Sequence, residues 1–361
     1  MLIVRSPVRV SFGGGGTDLP AYYEEYGGAV LSAAINKYFY TVLTKRADDR
    51  IQVISSDLRI IETWQDIANM NVKDGELGIP LAVMKDLGVH FAVNLFLASE
   101  IPPGTGLGSS ASVCVNILKV LTTYLDKPMT KYELAERSFH IARNVLQMPV
   151  GKQDEYAASF GGLNFISFNR DGRASVESLG LAPEVLRELQ TNLMLFFTGA
   201  SHNSWSILTA QEESTRKSSG STLSSLRDIH VLASEMRTAL ADGNLKQFGS
   251  LLDKGWQAKR KVSDKISNSR IDQLYSVALQ NGALGGKITG AGGGGFLLLY
   301  CEKPEQNKVR HALMREGLRE MTFEFDFSGA RVLVSDPFLD EDNRCGMRWT
   351  FTPHADQFAQ A

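Results

Sequence analysis

An α+β protein of two domains is what this sequence predicts, on three observations. Its 361 residues exceed one average domain and suit two. Strand-like and helix-like runs occur in both halves, separated by long returns rather than in a regular strand–helix alternation. A content of 43% hydrophobic and 22% charged residues supports a sizeable core in each half. The expected division is an N-terminal domain over 1–190, a C-terminal domain over 191–335, and a polar surface tail over 336–361.

The elements follow in order. Residues 2–12 and 28–45, rich in Val, Ile, Tyr, Phe and Thr, read as strands flanking a glycine cluster. In FAVNLFLAS, 91–99, Phe91, Val93, Leu95 and Leu97 alternate onto one face of a strand. PPGTGLGSS then breaks the pattern, and ASVCVNILKVLTTYL continues as an apolar helix. Thr130 with Glu133 has the spacing of a capping box, and GGLNFISF returns to strand. The second half opens at TNLMLFFTG, 191–199, after the helical PEVLRELQ, and continues with helical segments to about residue 280. GGKITGAGGGGFLLLYC is a glycine loop between two strand-like halves. KPEQNKVRHALMREGL reads as a helix and FEFDFSGARVLV as closing strands. Ser-rich KSSGSTLSS is the best candidate for a mobile loop; there is no internal repeat.

Bulk charge narrows the function. A net charge of −2 and a pI near 6.3 leave no electrostatic footprint for nucleic acid or an anionic membrane. The densest basic cluster, KGWQAKRKVSDK, reads as a solvated helix face. No long apolar segment resembles a signal or a membrane span. Cys114, Cys301 and Cys345 are odd in number and far apart, and the histidines are isolated. Neither a disulfide framework nor a zinc site follows, so a reducing, cytoplasmic compartment is expected.

Three glycine clusters and one acidic pair carry the chemistry. In Pro103, Gly104, Thr105, Gly106, Leu107, Gly108, Ser109 and Ser110, glycines turn the chain from a strand into a helix. Bare amides at a helix N-terminus attract phosphate, and a serine hydroxyl can ligate magnesium. An ordinary strand-to-helix turn has the same composition. Both the lysine of a Walker loop and the spacing of a dinucleotide fingerprint are absent. The second cluster, Gly14, Gly15, Gly16, Thr17 and Asp18, offers amides, a hydroxyl and a carboxylate to a polyhydroxylated ligand, or forms a flexible hairpin. The third, with Gly290, Ala291, Gly292 and Gly293, follows the same logic. Asp154 and Glu155 come after a Pro-Val-Gly turn and Lys152. On a helix, adjacent residues point about 100° apart, so Glu155 is taken as a bystander.

Taken together, Pro7 to Asp18, Pro102 to Ser112, VGKQDEY and Lys287 to Gly295 resemble, in order and spacing, the motifs of the GHMP small-molecule kinase superfamily. GGGTD, GKQD and YAASFGG are most similar to its bacterial heptose 7-phosphate kinases, and the fucose kinases come next. The resemblance covers most of the chain. It implies a ribosomal-S5-like N-terminal half and a ferredoxin-like C-terminal half with the active site between them. ATP phosphates would lie on Pro103 to Ser110, with Mg2+ held at Ser110. Asp154 would be the catalytic carboxylate, Lys152 would neutralise charge beside it, and Arg9 would support the transferring group. The second and third clusters would bind the sugar. An anomeric hydroxyl would be the acceptor, on heptose 7-phosphate in the first instance or on fucose or galactose in a sugar-1-kinase. A catalytically weak sugar or nucleotide sensor is the alternative from another class; an S5-like nucleic-acid binder is disfavoured by charge. Oligomeric state is not legible.

Two departures stand out. Ile141-Ala142-Arg143 occupies the place where the heptose kinases carry I-E-R, whose glutamate is a second magnesium ligand. His202 stands where relatives often carry an arginine.

Overall fold

A computed structural model describes residues 1–73, 75–199, 204–217 and 220–336. His202 and the tail beyond 336 lie outside the described residues.

The chain begins with β1 (Leu2–Gly13), α1 (Pro20–Tyr26) and the long β2 (Gly28–Lys45), followed by β3 (Ile51–Ser55), β4 (Ile60–Trp64), α2 (Gly78–Asp86) and β5 (Val93–Ser99). Then come α3 (Ser109–Tyr124) and α4 (Lys131–His140), the latter entered through the expected reciprocal Thr130–Glu133 capping box. A π-turn at Ile141–Val145 follows, then α5 (Gln153–Phe160), β6 (Leu163–Phe168), β7 (Ala174–Ser178) and α6 (Pro183–Asn192). The second half holds β8 (Leu193–Phe197), α7 (Ser204–Arg216), α8 (Gly220–Ala241), α9 (Leu245–Arg260), α10 (Ser269–Gln280), β9 (Gly285–Ile288), β10 (Phe296–Tyr300), α11 (Gln306–Arg315), β11 (Arg319–Glu320) and β12 (Arg331–Ser335).

Among the described residues the strands form two sheets. The first runs β12-β1-β2-β5-β3-β4, with β6 and β7 branching from β2. The branch follows from length: β2 pairs with β6 through Gly28–Ala33 and with β5 through Phe39–Lys45. The second sheet runs β11-β8-β10-β9, all antiparallel.

Two readings of the sequence change here. FEFDF is not a strand; only Phe325 bridges, to Ile35. Residues 331–335, expected to close the second half, instead pair with β1 of the first sheet. Alternation alone identifies a strand but not its sheet. Within KSSGSTLSS, residues 220–225 belong to α8, while 218–219 lie outside the described residues.

Period-2 patterning places the core. On β10, Phe296, Leu298 and Tyr300 face one cluster, and Leu297 and Leu299 face another. Both faces of this strand are covered, which explains a continuous apolar run instead of alternation. The cluster between the sheets contains Val8, Val10 and Phe12 of β1 with Leu245, Phe248, Leu251 and Leu252 of α9. Phe248 is its keystone, edge-on to Phe12 at 5.4 Å and to Tyr300 at 6.0 Å. It thereby ties α9 to one strand of each sheet. Phe248→Ala is expected to reduce unfolding stability by about 3–5 kcal/mol, read from the denaturant midpoint; a loss under about 1 kcal/mol would remove Phe248 from that role.

Candidate active site

The cleft is built where the glycine clusters meet. Gly104, Gly106 and Gly108 all have positive φ, at 73°, 78° and 78°. This alternation turns successive amides toward one side, a backbone nest for an anion, and leads directly into the N-terminus of α3. Gly108 is the N-cap and has no side chain to bond the first amides of the helix. Ser109 and Ser110 line the cleft at this point. Thr105 and Leu107 do not, being fully buried with Thr105 Oγ1 donating to Pro102 O at 2.9 Å.

The third cluster packs on the first, backbone to backbone. A Cβ at Gly106 would meet Thr289 O at 2.5 Å, and one at Gly290 would meet the Gly106 Cα at 2.6 Å. Gly290 and Ala291 line the cleft, while Gly292 and Gly293 are turned to Ile266, whose carbonyl accepts from Gly293 N at 2.8 Å. In the second cluster Gly15, Gly16 and Asp18 line the cleft. Gly14 is packed against Ala29 of β2. Thr17 is fully buried and bonds Gly14 O and Ala29 O at 2.8 and 2.9 Å, so it fastens the loop and has no face toward a ligand. Asp18 accepts from Gly16 N at 2.8 Å and Gln153 N at 3.3 Å, tying this loop to the start of α5.

Asp154 stands in the first turn of α5, against Gly108. Its partner is Arg9: Nε donates to Asp154 Oδ1 at 2.8 Å and Nη2 approaches the same oxygen at 2.7 Å. Arg9 Nη1 donates to Gly106 O at 2.7 Å. One guanidinium thus holds the acid and the first glycine loop in a fixed relation. Burial pushes the Asp154 carboxyl above its ordinary value, with Arg9 opposing; the side chain is 27% exposed, into the cleft.

Lys152 is not the charge partner expected beside Asp154. Its ammonium is turned away, donating to both oxygens of Glu136 at 2.7 and 2.8 Å and to Gly172 O at 2.6 Å. As the residue before α5 begins, it leaves the chain on a different side from Asp154. Glu136, engaged by Lys152 and by the Tyr156 hydroxyl, makes no second ligand for the cleft. Ala142 does line the cleft.

Glu155 also lines it, contrary to its reading as a bystander. The cleft wraps around the first turn of α5, so residues 100° apart both reach it. Glu155 is 2% exposed, and its Oε2 is buried without a hydrogen bond. Burial first, and then the charge of Asp154, push its carboxyl well above the usual range.

Two lysines escaped the sequence reading. Lys259, from the cluster read as a solvated helix face, and Lys287 of β9 are 6% and 7% exposed and line the cleft. Lys259 Nζ donates to Gly15 O and Gln211 Oε1, both at 3.2 Å; the Lys287 ammonium donates no hydrogen bond among the described residues. Burial lowers Lys259 to about 8. Burial, with the charges of Lys259 and Arg9, lowers Lys287 to about 7. Lys259 is turned inward because the last turn of α9 packs against Gly15 and Gln211, residues 244 and 48 positions away, and sequence does not contain that contact. Ser11 Oγ and Gln153 Oε1, also in the cleft, are buried and unpaired.

A second, mostly apolar cavity adjoins the first across Ser109 and Ser110. Phe39, Leu58, Leu77, Leu97, Ile101 and Val113 line it, with Pro103 at its edge. Among the described residues no three His, Cys, Asp or Glu side chains converge on a metal position, and no helix is long and apolar enough to cross a membrane.

Comparison with known proteins agrees with this geometry. The family model described as GHMP kinases N terminal domain matches residues 78–162, and that described as GHMP kinases C terminal matches residues 236–320. A D-glycero-alpha-D-manno-heptose 7-phosphate kinase of Campylobacter jejuni is 30% identical, covering 91% of this chain and 97% of its own. A galactokinase of Pyrococcus furiosus is 24% identical over 89% of this chain and 95% of its own. The crystal structure of a D-glycero-D-manno-heptose 1-phosphate kinase from Bacteroides thetaiotaomicron superposes with a TM-score of 0.77 at 27% identity, covering 93% of this chain and all of the other.

The two lysines make a pH prediction. Folding depresses both below the ordinary 10.5, to about 8 and about 7, so between these values and 10.5 the unfolded chain binds more protons and stability rises with pH. The ligand-free protein is therefore expected to gain thermal stability from pH 7 to 9, and Lys287→Met to flatten that rise. An equal slope in the variant would show that Lys287 is not charge-suppressed by folding.

Proposed function

This chain belongs to the GHMP kinase family, phosphotransferases that act on a hydroxyl with ATP, and on that premise we propose that it phosphorylates the anomeric hydroxyl of D-glycero-D-manno-heptose 7-phosphate. The observation that carries the reading is the placement of the Arg9–Asp154 pair at the end of the glycine nest, in one cleft with two buried lysines.

The two cavities that share Ser109 and Ser110 suit a nucleoside triphosphate bridging them. The base enters the apolar one, and its phosphates cross Gly104 to Ser110 on the bare amides of α3. Mg2+, with Ser110 as a ligand, would supply neutralisation of the phosphate oxygens.

The acceptor lies in the polar cleft. Ser11, Gln153, Asp18 and the amides of Gly15, Gly16, Gly290 and Ala291 pair with sugar hydroxyls. Orphan buried polar atoms are costly until a ligand satisfies them, which favours a polyol over an apolar acceptor. The 7-phosphate rests on Lys259 and Lys287, whose protonated forms an anion restores. They take the place of the arginine that relatives often carry where this chain has His202. Asp154 orients the anomeric hydroxyl and takes its proton as the new O–P bond forms. The bond from the γ-phosphorus to the β,γ-bridging oxygen breaks, and ADP departs. Arg9 offsets the charge between acid and phosphate loop. Positioning and electrostatics of this kind are the main requirement of phosphoryl transfer. ATP as donor and unpaired Cys114 and Cys301 support a cytoplasmic setting. Ala142 in the cleft favours one second reading, a catalytically weak sensor on the same fold.

An ATP-consumption screen over heptose 7-phosphate, unphosphorylated heptose, fucose and galactose tests the assignment. The highest kcat/KM is expected for heptose 7-phosphate. A better rate with fucose or galactose would replace it with a sugar-1-kinase, and nucleotide binding without turnover on any acceptor would leave the sensor. Asp154→Asn is expected to lower kcat by about 10²–10⁴-fold with the Kd for ATP unchanged; retained turnover would remove Asp154 from the chemistry.

A further inference from the structure

Glu155 is a buried acid for which the protein provides no counter-charge. Its Oε2 takes no hydrogen bond at 2% residue exposure, and no ion pair joins it to a lysine or arginine among the described residues. Arg9, the cation whose charge bears on it, spends Nε and Nη2 on Asp154 and Nη1 on Gly106 O. Lys152 is committed to Glu136. A buried carboxylate in this state is unfavourable unless it is protonated or a cation comes to it.

The position of this acid says which cation. The first turn of α5 sits directly against the N-cap of α3, since a Cβ at Gly108 would lie 3.1 Å from Asp154 Oδ2. Glu155 shares the cleft with Ser110 and with Cys114, which follows Ser110 by one turn on the same face of α3. Glu155 lies near enough for its charge to bear on the Cys114 thiol. Ala142, in the π-turn, lines the same cleft with a methyl and no ligand atom. An unpaired hard oxygen in the same cleft as a serine hydroxyl and the glycine nest matches magnesium. That ion takes one or two protein oxygens and completes its shell with phosphate and water.

We propose that Glu155 is the magnesium-binding carboxylate of this protein, acting with Ser110 on the cation carried by the nucleotide. The acid absent at position 142 is thus supplied from the facing helix, one residue beyond Asp154. This assignment rests on the reading of the cleft as a metal–nucleotide site, and its test needs no sugar.

Mn2+ binding to the full chain with a non-hydrolysable ATP analogue, followed by electron paramagnetic resonance, measures the site directly. Glu155→Gln is expected to weaken Mn2+ at least 10-fold. Metal-free nucleotide affinity, from calorimetry, should stay within twofold. Glu155→Asp, which keeps the charge but shortens the reach, should fall between the two. Adding Ala142→Glu to Glu155→Gln should restore most of the lost affinity, an effect that a purely structural Glu155 would not produce. Mn2+ affinity within twofold of the parent in both Glu155→Gln and Glu155→Asp would overturn the proposal. A parent protein that binds no nucleotide would instead sink the metal–nucleotide reading on which it rests.

Discussion

The close approach of two glycine loops governs the architecture of this protein. Gly106 and Gly290 meet with their backbones in contact, and Gly295 lies similarly against Thr105. No side chain fits in that space, whatever its polarity, so one loop from each half is joined without an intervening layer. The apolar cluster around Phe248 sets the distance between the sheets that makes the contact possible. Burial supplies the stabilisation, while glycine supplies the geometry.

The charge layout of the cleft follows from that contact. Arg9 reaches Asp154 and the Gly106 carbonyl together because β1, α5 and the first glycine loop are already held in place. A buried ion pair of this kind contributes little net stability after desolvation; what it provides is orientation. Lys259 and Lys287 are charged groups kept dry with few partners, and Glu155 is an acid kept dry with its Oε2 unpaired. Folding alone does not reward such groups. Their concentration around one cleft is the pattern expected of a site whose ligands bring the missing charges.

Local features were read well from the sequence. The Thr130 capping box, the strands at 2–12 and 28–45, and the helix after Ser109 depend on neighbours a few residues away. Pairing partners were not legible. Residues 331–335 alternate like any strand, yet they cross back to β1 because that sheet had a free edge. Thr17 and Lys152 carry suitable chemistry in suitable motifs, but Thr17 is spent on backbone carbonyls and Lys152 on Glu136 and Gly172 O. Lys259, in a basic run that looks solvated, is inward because α9 is covered along its final turn.

By itself, the sequence determined the class of the protein: four motifs in the order of the GHMP kinases, an α+β chain, and an acid at 154 following a turn. Those properties reside in residue type and spacing, and both survive in a linear string. The tertiary structure decided which charges face one another. Arg9 and Asp154 are 145 residues apart, and Lys259 meets Gly15 across 244. Burial, which sets whether a carboxylate or an ammonium is comfortable or waiting for a partner, depends on every element packed around it. For that reason Glu155 passes for a neighbour in the sequence and is an unpartnered acid in the fold.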